Sequence, residues 1–85
     1  MQTLQSLGEA VSRRRKALGL KQGAVAKQAG LSQESLSRFE RGRSTEFGAR
    51  KLLAVLAVLG MELEFIQSGA SGSLDQLRQE RGAGA

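Results

Sequence analysis

The chain contains no cysteine, so neither a disulfide nor a thiolate metal site can form. It contains no histidine either, which removes the commonest general base and the commonest metal ligand. No apolar run is long enough to span a membrane. The first residues lack the long apolar core of a signal peptide, so a cytoplasmic location is expected. No glycine-rich loop is built to cradle a phosphate, and no acids cluster at metal-ligand spacing. Glu62 and Glu64 alternate and would share one face of a strand, but they imply no pocket. Neither an enzyme nor a cofactor nor a metal is expected.

What remains is a small basic chain. At 85 residues it can hold one domain, with a core near the lower limit for independent stability. The formal charge of +5 is unevenly placed: residues 1–60 carry eleven Lys and Arg against four Glu, whereas the remainder carries two Arg against four acids. A basic excess confined to one region is the electrostatic footprint of a polyanion partner.

That region centres on QGAVAKQAGLSQESLSRFE, from Gln22 to Glu40. Val25, Ala26 and Ala29 recur at helical spacing, and so do Leu36 and Phe39. Gly30 can take the left-handed conformation that closes a helix. Ser32 offers an oxygen to cap the next one. Ala26, one turn before Gly30, is small enough to let the second helix cross the first closely. Both pieces are too short to be stable alone and must dock on others.

Gln22, Ala26, Gly30, Leu36 and Phe39, flanked by R-K-A-L-G-L-K-Q before and S-R-F-E-R-G after, resemble the helix-turn-helix pattern of the Cro/C1-type (XRE) repressors. The resemblance runs from about Leu4 to Gly60. It implies an all-α, lambda-repressor-like bundle of four to five short helices. In this family the second helix of the motif enters the major groove, leading with its N-terminal residues. Gln33, Glu34, Ser37 and Arg38 face away from Leu36 and Phe39 and match the base-reading positions. Gln can pair with adenine, Arg with guanine, and Glu with cytosine N4; Ser is adaptable. Glu34 differs from the other three, because an acid near phosphates is repelled unless paired. Gln22 matches a residue that bonds a backbone phosphate, beside free helix amides. Arg43, Ser44 and Thr45 are phosphate candidates on the far side. Arg13, Arg14, Lys16 and Lys27 would add diffuse attraction. By the same resemblance, Arg15 and Glu40 should form a partly buried ion pair that ties the first helix to the third.

Along the chain, a first helix is expected over about Leu4–Leu18, with Leu4, Leu7, Val11 and Leu18 as its stripe. Lys21 stands where the family usually has a capping Thr or Ser; with Gly23 in the first turn, this weakens the start of the second helix. The third should run from about Gln33 to Arg41. The fourth should start near Ser44 or Thr45 and reach Leu59. Its apolar residues, Phe47, Leu52, Leu53, Val55, Leu56 and Leu59, are too many for one narrow stripe, which points to a second copy as cover. After Gly60, Met61–Ile66 alternates like a short strand, which would need a partner strand from that copy. Leu56, Leu59, Met61, Leu63 and Phe65 are the expected homodimer interface. Such a strand resembles HipB-type antitoxins, implying an autoregulating antitoxin that binds a HipA-like kinase toxin. The alternatives are a stand-alone or phage-type XRE regulator, and a protein-interaction module that uses no DNA. Residues 1–67 would form the DNA-binding and dimerisation domain. Residues 68–85, opening on S-G-A-S-G-S, would be a flexible tail in which 74–81 could make two helical turns.

Overall fold

The structure is a computed structural model in which residues 3–67 are described. Four helices follow in order: α1 (Leu4–Ala17), α2 (Gln22–Ala29), α3 (Gln33–Glu40) and α4 (Ala49–Val58). Among the described residues no helix is long and apolar enough to cross a membrane. The expected tail, 68–85, lies outside the described residues.

Helix α1 opens on a reciprocal cap: the Thr3 hydroxyl accepts from the Ser6 amide at 3.0 Å, and Ser6 Oγ accepts from the Thr3 amide at 2.8 Å. Helix α2 begins at Lys21 with no side-chain cap. It ends at Gly30, whose φ of 78° turns the chain while the Leu31 amide closes on the Ala26 carbonyl at 3.0 Å. Ser32 then caps α3, accepting from the Ser35 amide at 3.0 Å.

The core is Val11 of α1, Val25 and Ala26 of α2, Leu36 and Phe39 of α3, and Val55, Leu56 and Leu59 at the end of α4. Helix α3 packs on both α1 and α2, and α4 lies against α2. The α1–α3 approach is set by Gly8. A Cβ there would collide with the Phe39 carbonyl oxygen and stand 2.9 Å from its carbon, so only glycine lets the two backbones come this close.

The fourth helix starts at Ala49, after Gly48, and not at Ser44 or Thr45. Residues 43–48 are an irregular link. Its anchor is Phe47, whose ring stacks on Phe39 with centroids 4.0 Å apart and planes 5° from parallel. That burial holds the chain out of helix, although Ser44 and Thr45 are good capping residue types. Two expected interface residues are also reassigned. Leu59 is 1% exposed and Leu56 8%, so both side chains already lie in the core of one chain. The large apolar residue that α4 turns outward is Leu53, 52% exposed.

The alternating stretch Met61–Ile66 forms no strand, and there is none elsewhere among the described residues. A strand is held by ladder bonds to a neighbour, and a single copy of this chain offers none. Instead the Met61 amide bonds the Leu56 carbonyl at 2.8 Å, and Leu63 and Phe65 line an apolar groove of about 320 Å³ with Leu7 of α1 and Leu52 of α4.

Gly8→Ala should lower unfolding free energy in urea by about 3 kcal/mol, because the added methyl meets rigid backbone and not a side chain that can swing away. A loss well under ~1 kcal/mol would mean that α1 and α3 separate at little cost.

Candidate nucleic-acid interface

Leu36 and Phe39 are fully buried, and this fixes which side of α3 faces out. Gln33, Glu34 and Arg38 are exposed on that side and Ser37 is half-buried. Arg38 Nη2 donates to Glu34 Oε1 at 2.9 Å, one helical turn back. Gln33 lies over the start of α2: its Oε1 is 3.2 Å from where a Cβ of Gly23 would stand. The glycine that weakens the first turn of α2 therefore leaves room for the leading side chain of α3.

Behind this face sits a buried carboxylate. Arg15 Nε donates to Glu40 Oε2 at 2.8 Å and Arg15 Nη2 to Oε1 at 2.9 Å, a two-pronged pair. Arg15 Nη1 donates to the Leu20 carbonyl at 2.8 Å. Gln22 Nε2 also donates to Glu40 Oε1, at 3.0 Å. Burial pushes the Glu40 carboxyl up, but hydrogen bonds from Arg15 and Gln22, the charge of Arg15 and a contribution from Ser12 together bring it below its ordinary 4.5. The hydrogen bond to Glu40 outweighs burial at Arg15, whose guanidinium is held more firmly protonated. Among the described residues, no buried side-chain nitrogen or oxygen lacks a partner.

Gln22 was expected to hold a phosphate. Its carboxamide gives one N–H to Glu40 as a third donor, which leaves the second N–H of the same amide uncommitted by that bond. A signal for this existed: a carboxylate has about four acceptor sites and an Arg fork fills only two, so a buried Glu needs further donors.

The other expected phosphate residues do come together. Arg43, Ser44 and Thr45 line a polar groove of about 650 Å³ with Ser35 and Arg38 of α3 and Lys51 of α4. Gly48, at the mouth of α4, lines it too, so the groove lies beside the unpaired amides that begin a helix. Glu46 on the rim is the one opposing charge. Lys51 and Ser35 went unrecognised in the sequence. Arg50 and Lys51 stand in the first turn of α4, where the helix end is itself positive.

Arg14 is exposed and keeps its charge, while its Nε donates to the Leu59 carbonyl at 3.1 Å and ties α1 to the end of α4. Arg13, Lys16 and Lys27 are exposed. Among the described residues, no group of three or more His, Cys, Asp or Glu could hold a metal ion.

Residues 11–66 match a family model described as helix-turn-helix. No curated protein matches the chain significantly. Among solved structures, the chain is similar to the clp gene regulator ClgR from Corynebacterium glutamicum. That match has 31% identity and a TM-score of 0.69, and covers 96% of this chain and 88% of that one.

Glu40→Gln should cost about 3–5 kcal/mol near neutral pH, because it strands the Arg15 charge. Glu40 titrates lower folded than unfolded, so its contribution is present above pH 4.5 and is lost as pH falls through the depressed folded value. Denaturation curves from neutral pH to about pH 3 should therefore converge for the two proteins on acidification. Equal stability at neutral pH would show the pair to be energetically idle.

Proposed function

The chain belongs to the Cro/C1-type (XRE) helix-turn-helix family, and we propose that it is a homodimeric, sequence-specific transcriptional repressor of a palindromic operator. In this reading α3 enters the major groove, where each base pair displays a distinct donor and acceptor pattern. Gln33, Ser37 and Arg38 meet base edges. Arg43, Ser44, Thr45 and Lys51 hold a flanking phosphate, which sets register without reading sequence. The observation that carries the reading is the joint placement of two surfaces. The outward face of α3 and the cationic groove share Arg38, so one docking pose serves bases and backbone together. Likeness to a protein described as a gene regulator supports the same reading.

A second copy would cover Leu53, Leu63, Phe65 and Ile66, which are 42–93% exposed. Met61, Leu63 and Phe65 keep their place in the proposed interface, and Leu53 joins them. Two-fold symmetry then calls for inverted half-sites about 34–36 Å apart. A HipB-like antitoxin with a HipA-like kinase partner rests on a strand after α4 and on the overall length of the chain. With no strand formed among the described residues, nothing favours that reading over a stand-alone regulator.

The test is titration of labelled duplexes, first selected from a random pool, at several salt concentrations. Affinity should fall steeply with salt. Arg43→Ala and Lys51→Ala should each weaken every duplex alike and reduce the salt slope by about 1. A chain that binds no duplex at low salt would leave only the protein-interaction alternative. Truncation after Gly60 should give a monomer or a loose dimer in sedimentation, and a tight dimer would remove 61–67 from the interface.

A further inference from the structure

We propose that Glu34 is a positioning residue for Arg38, and that through it Glu34 lowers affinity for DNA of the wrong sequence. The inference rests on the reading of α3 as the base-reading helix. Glu34 and Arg38 are one turn apart, and their side chains are 80% and 53% exposed. A pair so open to water adds little to stability. The fold does not need it either, because α3 is held by Leu36, Phe39 and the Glu40 network on its other side. What the pair does is fix a direction. Arg38 belongs to two surfaces at once: it stands on the outward face of α3, and it lines the groove with Arg43 and Lys51. A free guanidinium would swing to the nearest phosphate on any duplex. The Glu34 carboxylate holds Arg38 along the helix axis by one N–H and leaves the other four for a guanine edge. The same carboxylate repels phosphates unless Arg38 neutralises it, so non-operator DNA meets a penalty that the operator offsets through guanine. Discrimination of this kind combines an attractive contact with a repulsive one.

The test is a two-residue cycle, Glu34→Gln and Arg38→Ala, singly and together. Each protein is titrated with the selected operator and with a scrambled duplex of equal length. Glu34→Gln alone should raise affinity for the scrambled duplex by about three- to tenfold, steepen its salt slope by up to about 1, and lower the operator-to-scrambled ratio. In the Arg38→Ala background the change in ratio should disappear. The same change in both backgrounds would mean that Glu34 acts by its own charge and not through Arg38, which overturns the inference. So would a Glu34→Gln protein that loses preference at a single cytosine while its scrambled-duplex affinity stays fixed, because Glu34 would then be a base reader. If the unaltered protein binds neither duplex, the proposed function fails first and this inference with it. Binding by the unaltered protein with no effect of Glu34→Gln removes the inference alone.

Discussion

A carboxylate removed from water decides how this molecule is assembled. Glu40 closes α3 on the inner side, and it can stay ionised there only if donors replace the lost water. Three come from two other elements: two N–H groups of Arg15 on α1 and one of Gln22 at the head of α2. A further N–H of Arg15 reaches the Leu20 carbonyl in the link between those helices. One acid thus gathers α1, the link, the start of α2 and the end of α3. An apolar cluster of equal volume could be as stabilising. It would not define rotation so narrowly, because hydrogen bonds have direction and dispersion contacts do not. The helix so oriented is the one whose other face is proposed to meet DNA.

Backbone contact at Gly8 supplies the complementary constraint. Helices α2 and α3 have eight residues each, too few to persist alone. Their rigidity comes from docking, and Gly8 lets the Phe39 carbonyl approach α1 at backbone contact. Phe39 is held on the other side by Phe47, which draws the link toward the core and leaves Arg43, Ser44 and Thr45 lining the groove. The polar groove is therefore a by-product of an apolar anchor. Packing sets where the charges stand, and chemistry sets what they can hold.

The Gly30 turn, the Ser32 cap and the buried face of α3 were legible because each depends on residues within one or two turns of chain. Other features were not, for identifiable reasons. Gly8 in the middle of a helix reads as a weakness in propensity, and its value appears only once α3 is laid across it. Ser44 and Thr45 have the chemistry of caps, yet a ring three-dimensionally close to Phe39 outweighed that local preference. The apolar excess of α4 was visible, but its division was not: Leu56 and Leu59 face inward and Leu53 outward, a matter of helix phase against neighbours. That Gln22 is the donor to Glu40 was not visible either, because the bond spans two helices that only the fold brings together. The strand pattern after Gly60 posed the hardest case, since a ladder partner cannot be read from one segment.

Charge counted along the chain also overstates the charge available to a partner. Of the eleven Lys and Arg in residues 1–60, Arg15 is matched by Glu40 and turned inward. Arg38 shares its charge with Glu34, whereas Arg14, bonded to a neutral carbonyl, keeps its own. Of the cations with no paired acid among the described residues, Arg43 and Lys51 converge on one groove beside α3, whereas Arg13, Lys16 and Lys27 are exposed away from it. Two converged cations fix where a phosphate sits, whereas the same charges spread over the surface would fix only that it is attracted. In the proposed docking, the converged pair supplies position and the spread charges supply general attraction. That is the condition under which a short helix can compare one sequence with another, since attraction alone treats all duplexes alike.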